Sequence, residues 1–344
     1  MKRKRRLAGS PKPLGGNPRV GLLRYVLRVV IVNYRQWSST KELVRNLAKS
    51  DAFQAGKVEI VVVDNGSPQN PLAEKLNKVP NLRLIQSEHN RGFARAVNTG
   101  AEGFLGDWFL LLNPDITVGD GFLDRVLASG EISRKVHPNL GVIGFGMLDP
   151  EGSIQPSTGP FPSFTNTLFR QFLPRRLRKY HLSFRKEGPV EWTSGCCLLI
   201  SKGCWSDLGR FDPDFFLYYE DVDFCHRATQ GGWRICLDRS VTAVHHHPLH
   251  RRKVPGHLRV ATRMALHTYS RKHWPAWQHR IMGLIMRLEA GLGAWSSRLR
   301  GNWAAEAWWT SLGTLLQDSS RGKTATSIRR LFALLGTGEL HRKG

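Results

Sequence analysis

Four short apolar runs, separated by helix-length segments, constrain this chain more than any other feature of its sequence. They are Leu27 to Val32, Val58 to Val63, Leu82 to Ile85 and Trp108 to Leu112. Each is rich in β-branched or large apolar residues and shows little alternation, so each reads as a buried strand of a parallel sheet. Between them Leu43, Val44 and Leu47, then Leu72 and Leu76, then Val97 to Ala101 predict helices. Strand alternating with helix in this way is the pattern of a doubly wound α/β sheet.

Ligands of such sheets bind beyond the carboxyl ends of the strands. The polar residues collect there. Asn33 follows the first run, Asp64 and Asn65 the second, Asn113 and Asp115 the fourth; Asn90 and Gly92 lie just past the third. Any one of them is ordinary turn chemistry. All of them on one edge indicate a site.

Downstream the pattern loosens. Ser38, Ser39 or Thr40 is expected to cap the first helix, and Phe122 to Leu127 reads as another. Leu140 to Met147 and Cys196 to Ile200 read as strands, and Asp149 to Gly152 as a turn. Residues 156–189 are expected to form a long, mobile, basic loop. Trp233 to Leu237 and Val241 to Val244 read as two strands, the second running into His245, His246 and His247. Further on, Ile281, Leu284, Leu288, Leu292 and Trp295 recur at helical spacing, flanked by Arg280, Arg287, Arg298 and Arg300. This amphipathic segment either packs on the preceding domain or meets a membrane surface; the two are compatible.

The chemistry centres on Leu217-Tyr218-Tyr219-Glu220-Asp221-Val222-Asp223-Phe224. Clustered carboxylates beside aromatic residues are costly unless something uses or pairs them. Asp221 is the candidate general base. The plainer alternative is a helix N-terminus whose acids complement the helix dipole.

Charge bounds the partners. The 344 residues carry a formal net charge of +24, a field that attracts nucleic acid, an anionic membrane face or phosphorylated substrates. The five cysteines include no Cys-x-x-Cys pair, which argues against a disulfide framework or zinc ribbon and for a reducing compartment. No run of eighteen apolar residues suggests a spanning helix.

Read in order, five blocks resemble the family-2 inverting glycosyltransferases, especially the branch containing rhamnosyltransferases. They are Val32-Asn33-Tyr34; Val63-Asp64-Asn65-Gly66-Ser67; Asn90-Arg91-Gly92-Phe93-Ala94 with Asn98 and Gly100; Leu112-Asn113-Pro114-Asp115; and Ser194-Gly195 with Phe211-Asp212 through Asp223. The resemblance runs from about Val29 to His250. It implies a GT-A type doubly wound mixed sheet, the nucleotide-diphospho-sugar transferase fold, with a C-terminal helical extension. The expected division is a basic disordered tail over 1–19, a catalytic domain over 20–250 and a basic helical extension over 251–344. Within the catalytic domain, a nucleotide-binding half covers about 28–118 and an acceptor half about 119–250.

The resemblance also implies roles. Asp64 contacts the base or ribose, with Asn33 and Asn65 beside it, and Asn90 and Gly92 shape a loop against the nucleotide sugar. Asp115, in a turn after a strand, suits Mg²⁺ or Mn²⁺. The family's usual Asp-x-Asp is altered here, so Asn113 is expected on ribose or phosphate instead. His245 completes the metal shell, with His246 as the alternative. Ser194, Gly195 and Glu220 lie near the acceptor, Trp192 stacks on a sugar face, and Glu220 raises the pKa of Asp221 by like-charge repulsion.

The implied partners are a nucleotide-sugar donor, with rhamnose as the branch's sugar, and a saccharide or polyprenyl-diphosphate-linked acceptor. An anionic membrane surface accounts for the basic segments, which places the enzyme in the cytoplasm, peripheral on the inner face of the plasma membrane. Cell-envelope polysaccharide synthesis is the implied process. The rival from another class is a nucleic-acid-binding protein, proposed on charge alone; no helix-turn-helix, zinc-finger or RNP-type signature supports it. A nicotinamide-dependent oxidoreductase needs a glycine-rich turn after the first strand, and Asn33 to Trp37 contains no glycine.

Overall fold

The structure is a computed structural model that describes residues 25–172, 187–246 and 255–336. The first part alternates as the sequence predicts: β1 (Leu27–Asn33), α1 (Trp37–Leu47), α2 (Asp51–Gln54), β2 (Val58–Asn65), α3 (Pro71–Leu76), β3 (Leu82–Ser87), α4 (Phe93–Ala101) and β4 (Trp108–Leu112). There follow β5 (Ile116–Val118), α5 (Phe122–Val136), β6 (Leu140–Leu148), β7 (Ile154–Gln155), β8 (Thr158–Gly159), α6 (Phe164–Phe172), β9 (Gly188–Pro189), β10 (Trp192–Thr193), β11 (Cys197–Ser201), α7 (Lys202–Asp207), α8 (Glu220–Gln230) and β12 (Arg234–His245). Four helices close the described chain: α9 (Gly256–His273), α10 (Ala276–Leu299), α11 (Trp303–Ser320) and α12 (Thr324–Gly336).

The central sheet has the order β3-β2-β1-β4-β11-β6-β12-β5. Strands β3, β2, β1 and β4 are parallel; β11 runs antiparallel to both β4 and β6, and β5 antiparallel to β12. The chain builds outward from β1 to β3, then returns to the other side of β1 to form β4. This reversal opens a crevice at the carboxyl ends of β1 and β4, where such sheets take ligands. Alternate residues of β1 feed two cores. Leu27, Val29 and Ile31 pack with α1 and α5, and Val30 and Val32 with α4 and α8.

Several local expectations change. Helix α1 begins at Trp37, before the proposed caps, with no side-chain cap of its own; the strand-end side chain of Asn33 holds the turn that leads into it. Its Oδ1 accepts from the backbone N–H of Gln36 at 3.2 Å and from the Thr40 hydroxyl at 3.0 Å. The two strands expected at 233–244 are one. Asp238-Arg239-Ser240 is a bulge, not a turn: the register shifts there while Asp238 Oδ1 accepts from the N–H of Ser240 at 2.8 Å. The expected loop over 156–189 contains β8, α6 and β9, with 173–186 outside the described residues. The basic tail over 1–19, His247 and the basic cluster at 251–253 also lie outside them.

Helix α9 joins the last helices to the sheet domain. Tyr269 and Ala265 enter the second core, while Val260 and Met264 enter a third, formed with Met282, Met286, Leu312 and Leu331.

Candidate active site

Pairing of β1 with β2 sets Asn33 opposite Asp64, and the Asn33 amide donates to Asp64 Oδ1 at 2.8 Å. The other Asp64 oxygen accepts from the backbone N–H of Ser67 at 3.2 Å. Next to them, Asn65 accepts from the N–H of Arg91 at 2.9 Å and donates to Asn90 Oδ1 at 2.9 Å. Asn90 Oδ1 in turn accepts from the N–H of Gly92 at 3.0 Å. The polar strand ends therefore hold one another and the loop ahead of α4. Gly92 has a φ of +87°, and a β-carbon there would lie 2.9 Å from the carbonyl oxygen of Phe216. That same carbonyl accepts from the N–H of Phe93 at 2.6 Å. Only glycine meets both demands, and the contact ties this loop to the segment leading into the acidic helix.

The sheet brings the second group together. His245 is opposite Ile116 in the β12–β5 pairing, so its Nε2 faces Asp115 Oδ2 at 3.4 Å. His246, the next residue, turns to Thr117, with Nε2 at 2.7 Å from the hydroxyl. Among the described residues no three His, Cys, Asp or Glu side chains gather into a metal cage. Asp115 and His245 form an edge that could supply two ligands to an ion. The Gln155 amide nitrogen Nε2 lies 2.9 Å from His245 Nδ1, and the buried Oε1 of the same amide has no partner among the described residues. As placed, that amide nitrogen donates to Nδ1; a flip of the amide would present the unpartnered oxygen to an Nδ1 proton instead and leave the Nε2 lone pair towards Asp115, the tautomer that binds a metal. One carboxylate oxygen and one imidazole nitrogen suit Mn²⁺, or Mg²⁺ less closely; phosphate oxygens and water fill the other positions of such ions.

Cys196 connects this edge to the acidic helix. Its carbonyl accepts from the N–H of Asn113 at 3.0 Å, and the next residue back, Gly195, donates its N–H to Asp221 Oδ2 at 2.8 Å. Burial pushes the Cys196 thiol up to about 12, and the carboxylates of Asp115 and Asp221 both add to the rise. Both acids thus act on the same buried thiol. The N–H of Ser194 is held by the carbonyl of Ser157 at 2.7 Å.

The three acids of α8 do different things. Asp221 is half-buried, and its Oδ1 accepts from the N–H of Val222 at 2.8 Å. Its pKa is raised, by burial, against the pull of the two backbone donors. Repulsion from Glu220 is not the cause. It is Glu220 that is pushed well above the ordinary range, by burial first and Asp221 next. Asp223 goes the other way. Burial would raise it, but His273 Nε2 at 2.8 Å and Arg227 Nε at 2.8 Å hold it below the usual carboxylate range. Ahead of α8, Tyr218 and Tyr219 adopt φ of 73° and 67°. Bulky residues in the left-handed region store strain of about 1–3 kcal/mol each and persist only where packing holds them; the Tyr219 ring rests on Tyr269 at 5.7 Å.

Two expectations fail here. Trp192 is 6% exposed and donates Nε1–H to the carbonyl of Pro160 at 2.9 Å, so its ring belongs to the core and offers a sugar no open face. Glu220 is 5% exposed, which gives an acceptor no direct approach. Conversely, Gln155 and His273 carried no sequence signal, whereas Phe216 lay inside the Phe211–Asp223 block. Ser67 lay likewise within the Asp64–Ser67 block.

Residues 28–185 match the glycosyl transferase family 2 model. An N-acetylglucosaminyl-diphospho-decaprenol L-rhamnosyltransferase of Mycobacterium tuberculosis is 31% identical over 242 residues, 64% of this chain and 76% of that relative. A low-salt glycan biosynthesis hexosyltransferase of Haloferax volcanii is 28% identical over 229 residues, 65% of this chain and 68% of that relative. Among solved structures, GalNAc-T7 with UDP, GalNAc and Mn²⁺ superposes with a TM-score of 0.50 at 19% identity, over 65% of this chain and 44% of that one, and shares the fold. The nucleic-acid-binding reading of the charge finds no support among these relatives. Four of the five sequence blocks fall inside the matched family region, on a sheet of the GT-A kind: the chain belongs to glycosyl transferase family 2 and is an enzyme of that family.

Proposed function

We propose that this glycosyltransferase moves a sugar, rhamnose in the first instance, from a nucleoside-diphosphate donor to a hydroxyl of a polyprenyl-diphosphate-linked saccharide at the cytoplasmic membrane face. The name of the Mycobacterium tuberculosis relative supports that donor sugar and acceptor class. The observation that supports the mechanism is that the adjoining residues Gly195 and Cys196 bond to Asp221 and to the Asn113–Asp115 turn respectively, with Asp115 beside His245 and Asp221 held by two backbone N–H groups.

Asp64, Asn33 and Asn65 bind the nucleoside, and the loop from Asn90 to Gly92 closes against it, with Asn113 on ribose or phosphate. Asp115 and His245 would hold a divalent ion, which supplies charge neutralisation to the departing diphosphate. The acceptor hydroxyl lies near Ser194 and Gly195. Asp221 accepts its proton as the oxygen attacks the anomeric carbon. The new carbon–oxygen bond forms as the bond to the diphosphate breaks, and the electron pair leaves with the diphosphate oxygen. A single displacement inverts the anomeric centre and needs no covalent nucleophile. The N–H groups of Gly195 and Val222 fix the Asp221 carboxylate while leaving each oxygen a lone pair.

Asp221→Asn tests this. Transfer to a lipid-linked acceptor is expected to fall by about 10²–10⁴-fold, the usual worth of a general base, while thermal-shift titration with nucleotide is unchanged. Near-normal turnover by the variant would remove Asp221 from the role. For the metal, excess chelator is expected to abolish transfer and Mn²⁺ to restore it. Asp115→Ala is expected to weaken metal-dependent donor binding; full activity in chelator would defeat that assignment.

A further inference from the structure

Helix α10 has two apolar faces, and the described residues cover only one. Met282, Met286 and Ala290 are buried in the third core. On the other side Trp277, Ile281, Leu284, Leu288, Leu292, Trp295 and Leu299 are 42–68% exposed. Their spacing of three and four residues sets them in one stripe roughly 80° wide, running about 33 Å along the helix. An exposed apolar strip of that length calls for an occupant.

Charge selects the occupant. Arg280, Arg287 and Arg298 follow one edge of the stripe, Arg300 stands at its end, and all four are exposed. The acid of α10, Glu289, is engaged by Arg263 at 2.5 Å. A second copy docked antiparallel on the stripe would set one arginine edge against the other. A bilayer bearing anionic headgroups meets both features, with the apolar side chains among acyl chains and the arginines at phosphates. Tryptophans near both ends suit the headgroup boundary. Among the described residues no helix is long and apolar enough to cross a membrane, so α10 would lie in the surface rather than span it.

We propose that the outer stripe of α10 is a docking face for an anionic bilayer. It goes beyond the transfer reading by naming the surface of this chain that meets the membrane, and its test needs neither donor nor acceptor. In flotation with phosphatidylcholine vesicles, with and without phosphatidylglycerol, the full chain is expected to float with the anionic vesicles, and less as salt rises. Leu288→Gln with Leu292→Gln is expected to weaken that binding by about tenfold or more. Arg280→Ala with Arg287→Ala and Arg298→Ala is expected to remove the preference for phosphatidylglycerol. These side chains are exposed, so circular dichroism and melting should be unchanged, which separates lost docking from lost fold. Failure of the full chain to bind anionic vesicles would overturn the proposal, as would equal binding by the leucine variant. A stable dimer by light scattering that dissociates in the leucine variant would assign the stripe to self-association instead.

Discussion

At the scale of single residues, Asp221 and Glu220 make opposite demands on pH. As the proposed base, Asp221 has to be ionised to act, and its burial raises its pKa. The acid limb of kcat/KM against pH should therefore lie above the ordinary aspartate value of about 3.9, with activity lost as pH falls through it. A limb at or below that value would mean another group limits the reaction. Glu220 is a cost to the fold. Its pKa is also raised by burial, and its Oε2 has no partner among the described residues. The folded chain holds that proton more tightly than the unfolded one, so stability falls as pH rises from the unfolded to the folded pKa. Glu220→Gln should melt with the parent at acid pH and above it at pH 8, by about 1–3 kcal/mol, the scale of a buried unsatisfied group. Thermal melts at both pH values check it. Asn33, Asp64, Asn65 and Asp115 stood out as candidates in the sequence because they lie at or just past strand ends, where such sheets bind ligands. Trp192 and Glu220 misled because burial, not residue type, decides whether an aromatic ring or a carboxyl meets a ligand. Gln155 was invisible: nothing in a two-residue strand says that its amide will reach a histidine 90 residues on.

At the scale of elements, two joints hold the site together. The first is the loop ahead of α4, whose Gly92 fits against Phe216 only without a side chain. Gly92→Ala adds strain and separates the loop from the acidic segment. Donor KM should rise, with a loss of about 1 kcal/mol or more in stability, read by donor titration and melting. The second joint is Asp223, 1% exposed, which clamps α8 to α9 through His273. Removing one partner of a buried pair leaves the other uncompensated, so Asp223→Ala should cost about 3 kcal/mol at pH 7. Because its folded pKa is lowered, Asp223 contributes above the unfolded pKa and loses that contribution as pH falls through the folded one. The deficit of the variant should accordingly shrink towards acid pH. A pH-independent deficit would attribute it to packing. Strand β4 was readable as an unbroken apolar run, and β1 and β2 as apolar runs interrupted once each, by Arg28 and Glu59. The single strand Arg234–His245 was not, because a bulge and a turn use the same residues, here Asp238 and Ser240. The clamp was equally hidden: Asp223 and His273 are 50 residues apart.

Over the whole molecule, the last helix reaches the site through one aromatic contact. Phe332 of α12 meets the Phe216 ring edge-on at 4.9 Å and lies under the Arg95 guanidinium at 4.7 Å. Phe216 is the residue whose carbonyl receives the N–H of Phe93, and Arg95 belongs to the same helix, α4. The helical extension thus braces the joint between the donor loop and the acidic helix. It packs against the candidate site as well as bearing the outer stripe. If the brace matters, truncating Phe332 should reach the donor from outside the sheet. Phe332→Ala is expected to lower the melting temperature, since an aromatic side chain leaves a packed cluster, and to raise donor KM several-fold. Phe332→Tyr keeps the ring and should restore both. A purely structural residue would shift melting and leave the KM of the folded fraction alone. Donor KM measured well below the melting temperature of each variant separates the two, and an unchanged KM in a folded Phe332→Ala would sever the extension from the chemistry.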